Sequence, residues 1–195
     1  MSEPFEIIAS PFEAYWAPYG TTFPLIDAAP AAPWALIGKA GAKNMSPDGI
    51  TVTHDQTIER FFMLGGTLPR KVARTEENMM VGFTLHDMTL EQYRLAVNSN
   101  AVATNAAASG VAGFKQLSLS RGPDVTVLSL LLRGPSPEND AWNMQFEVPA
   151  AVEGGSPEAV FAKGEPAGLA LEFSIIEATG GELPRVLVQH AAPLP

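Results

Sequence analysis

Residues 48–63 read DGITVTHDQTIERFFM: Ile50, Val52 and Ile58 share one parity, while Thr51, Thr53, Asp55, Thr57 and Glu59 fill the other without an apolar interruption. Side chains that alternate with a period of two belong to a β-strand, and one face of this strand is wholly polar. A second such run, from about Asn78 to His86, sets Met79, Val81, Phe83 and Leu85 against Gly82, Thr84 and His86. Between the two lies a long connection, Leu64, Gly65, Gly66, Thr67, Leu68, Pro69, Arg70, Lys71, Val72, Ala73 and Arg74. Its two adjacent glycines supply backbone freedom and its proline stiffens the return.

Working outward toward the C-terminus, strand patterns recur at Lys115–Arg121, Val125–Arg133, Ala141–Val148, Ala167–Glu177 and Arg185–Gln189. In the third of these, Trp142, Met144, Phe146 and Val148 are expected inward and Asn143, Gln145 and Glu147 outward. Turn chemistry separates the runs at Arg121-Gly122-Pro123-Asp124, Gly134-Pro135-Ser136-Pro137, Gly154-Gly155-Ser156-Pro157 and Gly180-Gly181. One helix is expected, starting at Thr89, where Thr89-Leu90-Glu91-Gln92 has capping-box spacing and Leu90, Tyr93 and Val97 form a stripe. Asn98 to Gly110 reads as the end of that helix and a loop.

On the N-terminal side, Ser10–Gly38 is rich in aromatic residues and proline, and Pro11, Pro18, Pro24, Pro30 and Pro33 oppose both helix and ladder pairing. This predicts an extended arm. Phe12, Tyr15, Trp16, Tyr19, Phe23 and Trp34 place too many rings in it for it to stand free in water, so it lies either on its own sheet or on a neighbouring subunit. The sum is a mainly β protein: a two-sheet antiparallel sandwich or barrel with one packed α-helix, an extended N-terminal arm (1–40) and a long β-hairpin loop (64–74) in a single domain over 1–195. The 195-residue length and the 17 Gly and 17 Pro spread along the chain agree with one domain of many short strands.

Charge and composition exclude several functions. A formal charge of −9 opposes tight binding of phosphates, although an acidic wall lets a polyanion slide past. With no Cys there is no disulfide, no thiolate metal site and no cysteine nucleophile. His54, His86 and His190 lack metal-ligand spacing. No nucleophile elbow, Walker loop or dinucleotide fingerprint occurs. The carboxylate pairs Glu76-Glu77 and Glu138 with Asp140 sit beside turns, where acids are solvated rather than poised for catalysis. No catalytic residue, cofactor or metal is expected. The segment Met1–Ser10, with Glu3 and Glu6 and no basic region, is not expected to be a signal peptide, and the apolar run Val125–Leu132 is too short for membrane insertion.

The order of these features resembles the major tail tube proteins of siphophages, the bacteriophages with long non-contractile tails. Four stretches carry the resemblance: the arm with YWAPYGTTFP and PWALIG, the strand SPDGITVTHDQTIERF, the segment MLGGTLPRKVARTEENMMVGFTLHDMTLEQYRLAV, and RGPDVTVLSLLLRGPSPENDAWNMQFEVPAA. The resemblance implies a virion tail subunit, made in the host cytoplasm, that forms hexameric rings with itself. Those rings stack into a tube around a tape-measure protein, in company with tail tip and tail terminator proteins, and DNA later passes through the lumen without sequence-specific binding.

In such a tube, Thr51, Thr53, Asp55, Thr57 and Glu59 are candidates to face the lumen, the alternative being an ordinary solvated face. The connection from Leu64 to Arg74, with cations Arg70, Lys71 and Arg74, is a candidate inter-ring contact, the alternative being a solvated hairpin tip. Tyr15, Trp16, Tyr19, Phe23 and Trp34 are the candidate contacts between subunits. Some relatives carry a C-terminal immunoglobulin-like domain, for which a chain ending at Pro195 is expected to have no room. A carbohydrate-binding sandwich or adhesin and a single-ring terminator or connector are the competing readings.

Overall fold

The computed structural model describes residues 7–8 and 10–193. Glu3 and Glu6, on which the reading of the N-terminus relied, lie outside the described residues. The strands are β1 (Glu13–Pro18), β2 (Ala35–Leu36), β3 (Met45–Phe61), β4 (Lys71–Leu85), β5 (Val102–Asn105), β6 (Phe114–Leu117), β7 (Leu128–Ser136), β8 (Asn139–Glu153), β9 (Ala159–Val160), β10 (Gly168–Ile175) and β11 (Arg185–Val188). The main sheet runs β2-β1-β7-β8-β10-β4-β3, with β11 added to β8 and β9 to β10, and a small second sheet pairs β5 with β6. Every pairing is antiparallel. The barrel does not close, because β2 and β3 remain as edges.

The alternation read from β4 and β10 builds the core. Their register sets Leu85 opposite Leu169, Phe83 opposite Leu171 and Val81 opposite Phe173. All six side chains are buried, and the Phe83 and Phe173 rings stack at 5.9 Å. Such cross-strand apolar pairs are the unit of sheet stability. Ala14, Leu130, Leu132 and Val148 from the β1-β7-β8 half join the same cluster.

The sheet curls through β8, which pairs with β11 over Met144–Glu147 and with β10 over Ala151–Glu153. The change of partner falls at an irregularity opposite Leu128–Leu130, where the Ser129 hydroxyl donates to the Pro149 carbonyl at 2.8 Å. A bulge bends its strand and tolerates a proline that lacks a ladder donor.

Several expectations need correction. The arm's prolines interrupt less of the ladder than expected: β1 pairs with β7 along its whole length, from Glu13 opposite Arg133 to Pro18 opposite Leu128. The connection expected over 64–74 is shorter, because Lys71 and Arg74 already belong to β4 and only 62–70 lie outside strands. The small-residue stretch after the helix holds β5, which pairs with β6, and β6 ends at Leu117 rather than Arg121. Residues 125–127 precede β7.

The helix is only α1 (Leu90–Tyr93), continued by a 3₁₀ turn over Arg94–Val97, and the Thr89 side chain makes no cap hydrogen bond. Asp87 does the work expected of the Gln92 side chain: its carboxylate accepts from the Thr89 backbone N–H at 3.0 Å, and also from the Lys39 N–H at 2.8 Å. The turn stops at Asn98, in the left-handed region, whose amide donates to the Arg121 and Asp124 carbonyls. Two backbone elements thus hang on one buried carboxylate. Burial pushes the Asp87 carboxyl up, but hydrogen bonds from Lys39 and Thr89, with the Lys39 charge, outweigh that and hold it below its usual value.

A carboxyl with a lowered folded pKa stabilises the fold above its unfolded pKa, and that contribution disappears as pH falls through the folded value. Asp87→Ala should therefore cost about 2 kcal/mol at neutral pH, the scale of hydrogen bonds to a charged group. Urea titrations at neutral pH and near pH 2 should show the gap between wild type and variant narrowing in acid. A gap that does not change with pH would contradict this role.

Candidate assembly surfaces

Three surfaces carry the chain's distinctive chemistry. The first is the ribbon formed by β3 and β4 beyond the body. From Thr53 to Phe61 on one strand and from Lys71 to Asn78 on the other, nearly every residue is exposed, whichever face of the ribbon it belongs to. A strand pair in a packed sheet hides at least one face, so this ribbon stands clear of its own core. Pairing continues to its end, with Arg60 opposite Val72 and Phe61 opposite Lys71. A register shift opposite Thr57–Ile58 leaves Thr75 unpaired and twists the ribbon.

The ribbon ends in apolar side chains. Phe61, Phe62, Met63, Leu64 and Leu68 are all exposed, Leu64 fully, and Ile58 and Val72 extend the group down the strands. Gly65 takes a left-handed φ of 81° and the Gly66 N–H closes the turn on the Met63 carbonyl at 2.9 Å. Arg60, Arg70 and Lys71 frame the tip and make no ion pair among the described residues, whereas Arg74 bonds Gln56 and Glu77. Of the residues proposed from sequence for the connection, Leu64 to Arg70 lie at this tip and Lys71 and Arg74 along its returning strand.

The second surface is the outer face of the same half of the sheet. Thr51, Thr53, Asp55 and Thr57 stand opposite Gly82, Met80, Asn78 and Glu76 of β4, and Gly82 stands opposite Glu172 of β10. With Thr84, Ala170 and Ser174, this face combines short neutral residues with carboxylates and holds no Lys or Arg at these positions. The Thr51 hydroxyl donates to the Gly82 carbonyl at 3.0 Å, and Glu59 continues the row toward the tip.

The third surface is closed. Asn143, Gln145 and Glu147, expected outward on β8, are not in water: Gln145 and Glu147 are 0% and 2% exposed. Residues 19–28 of the arm cross over them as a strap, held by its backbone carbonyls. Arg133 donates to the Leu25 and Ala28 carbonyls, Asn143 to that of Ile26 at 2.8 Å, and Gln145 to that of Pro24 at 3.1 Å. Gln145 also accepts from Arg133 and donates to Glu147 at 2.6 Å, and Glu147 accepts from Arg185 at 2.6 Å. Burial lowers the Arg133 pKa from its ordinary value, while Tyr15, Asp27 and Glu147 pull it back.

The arm's rings complete this cover. Trp34 is buried, donates its indole N–H to the Thr22 carbonyl at 3.0 Å and lies 5.1 Å from the Phe23 ring. Trp16 points to the other face of β1, where it packs on the main core and lies under the Arg94 guanidinium at 5.0 Å. The Tyr15 hydroxyl donates to Glu13 at 2.6 Å, and burial followed by that bond pushes its pKa up to about 12. Tyr19 keeps 40% exposure, its hydroxyl accepting from the Thr179 N–H. Of the two readings of the arm, its aromatic residues follow the one in which it packs on its own sheet.

A fourth feature was not anticipated from the sequence: an open apolar cavity of about 720 Å³ in the mouth of the curled sheet. Ile50 and Val52 from the base of the ribbon form one wall, and Phe12, Leu132, Met144 and Phe146 face them. Among the described residues no group of three or more His, Asp or Glu is placed to hold a metal, and no helix is long and apolar enough to cross a membrane.

No protein-family model matches the chain. No curated protein matches it either. Among solved structures, the chain is similar to one in the cryo-EM structure of the anti-feeding prophage (AFP) baseplate, 6-fold symmetrised, with 11% sequence identity and a TM-score of 0.43, covering 96% of this chain and 98% of that chain.

Proposed function

We propose that this protein is a structural, non-enzymatic subunit of a phage-type particle, a major tail tube protein that assembles with itself into stacked hexameric rings. The observation that supports this reading best is the β3–β4 ribbon, which projects from the body with both faces wet and an apolar tip. A monomer gains nothing from such an element, since exposed apolar clusters of this kind mark contact sites. Unpaired edge strands β2 and β3 add two places where a neighbour can extend the sheet.

In this reading the face built on Thr51, Thr53, Asp55, Thr57 and Glu59 lines the lumen and passes DNA by repulsion rather than grip. The tape-measure, tail tip and tail terminator proteins are its partners, and the virion tail is its location after assembly in the host cytoplasm. The aromatic side chains of the arm, which would serve a carbohydrate-binding surface, are largely covered by the chain itself.

Sedimentation velocity over a concentration series tests the proposal. The subunit should give way to a six-fold species and then to much larger assemblies, whereas one species of monomer mass at every concentration would refute it. A double variant, Asp55→Lys with Glu59→Lys, probes the lumen assignment. It should leave assembly intact and slow DNA delivery several-fold in particles that carry it, and unchanged delivery would remove those residues from the lumen.

A further inference from the structure

We infer that the open cavity at the mouth of the curled sheet is the socket for the ribbon tip of a second copy of this chain, so that copies join head to tail. The inference rests on the self-assembly reading above and adds the identity of the receiving surface. Its two halves are on one molecule: an apolar plug at Phe62–Leu64 and Leu68, and an apolar hollow of about 720 Å³ lined by Phe12, Ile50, Val52, Leu132, Met144 and Phe146.

Charge selects a second copy as the occupant. Residues 58–74 carry Arg60, Arg70, Lys71 and Arg74 against Glu59 alone, in a chain whose formal charge is −9. The rest of the molecule is therefore strongly acidic, and a cationic tip on an acidic body attracts the body of another copy and not its tip. The cavity lining itself carries one acid, Asp48, and one base, Lys43, so the attraction comes from the acidic body as a whole and the apolar walls supply the seat.

The tip cannot reach the socket of its own chain, because one continuous strand separates the two. β3 runs without interruption from the wall of the cavity at Ile50 and Val52 to Phe61 at the base of the tip. At about 3.4 Å per residue the tip stands roughly 30–40 Å from the cavity. Plug and socket at separate places along one strand make a heterologous contact, which builds rings or filaments instead of closing as a two-fold dimer.

The absence of Cys allows a direct test by disulfide trapping. Leu64→Cys and Met144→Cys are made separately in the full chain, and the two proteins are mixed under mild oxidation. Leu64 is fully exposed, so its replacement does not threaten the fold. The mixture should give cross-linked dimers well above the level in either protein alone, and the double variant should give a ladder of covalent multimers.

Assemblies that form by light scattering without the mixed cross-link would overturn the socket while leaving self-assembly standing. Absence of any assembly would remove the reading on which it rests. Cross-links confined to Leu64→Cys alone would mean tip-to-tip contact and would also overturn the socket. Maleimide labelling closes the remaining route: the thiol of the Met144→Cys variant should react in dilute protein and be protected on assembly. Protection in the dilute monomer would show the cavity filled by the chain itself.

Discussion

A variant in which residues 61–71 are replaced by an Asn-Gly turn between the paired Arg60 and Val72 should remain folded and lose long-range assembly altogether. Two-residue turns of this type suit directly opposed antiparallel residues. The change removes Phe61, Phe62, Met63, Leu64 and Leu68, none of which contributes to either buried cluster. The denaturation midpoint should therefore move little.

Association is another matter. Full burial of a large apolar side chain is worth about 1.5–3 kcal/mol, so five of them supply a gross term on the order of 10 kcal/mol. Association itself costs about 4–15 kcal/mol in lost freedom, and removing the tip leaves the contact on the wrong side of that balance. Folded single rings or monomers, and no stacks, are the expected products by sedimentation and electron microscopy. Assemblies of normal length from this variant would contradict the role given to the ribbon.

The second large effect is expected at Arg133, on the covered face of the sheet. Arg133→Met removes the donor to the Leu25 and Ala28 carbonyls and to Gln145, all beneath the strap. Breaking a buried charged network by deleting one partner costs about 3–5 kcal/mol, because the groups left behind stay desolvated. Urea denaturation should show that loss, and limited proteolysis should cut the strap within residues 19–28. Adding Gln145→Leu and Glu147→Leu should recover part of the loss, since an apolar row needs fewer partners, while the carbonyls of the strap remain unpaired. A loss below about 1 kcal/mol for Arg133→Met would mean that the strap is not held by this network.

These two regions also show where the sequence is legible. The core strands β4 and β10 were readable because each has one dry and one wet face, so Val81, Phe83 and Leu85, and Leu169, Leu171 and Phe173, keep strict alternation. The returning strand of the ribbon is not, because alternation reports burial and KVARTEEN (residues 71–78) has almost none on either face. Alternation alone therefore begins the strand at Asn78, where the structure begins it at Lys71, and lengthens the connection.

On β8 the failure was of the opposite kind. The alternation of Asn143, Gln145 and Glu147 was real, but its polar face is covered by a strap from more than a hundred residues away, and only a tertiary contact reveals that. A local signal did exist in the neighbouring strand. Ser129-Leu130-Leu131-Leu132 does not alternate, and an unbroken apolar run marks a strand covered on both faces.

The helix misreading has a similar lesson at shorter range. Thr89 and Gln92 have the spacing of a capping box, yet Asp87, two residues upstream, reaches the free N–H of Thr89 first and holds Lys39 as well. The cavity had no sequence signal of its own, because its walls combine β3, at one end of the pairing order, with β7 and β8 from its middle, strands that do not pair with β3.

Negative-stain electron microscopy of the purified protein across a concentration series, with and without tail-tip seeds, is the most direct test of the proposed stacking into a hollow cylinder. Six-fold rings passing into hollow tubes are expected as concentration rises. Uniformly monomeric particles at the highest concentration, seeds included, would rule the tube out.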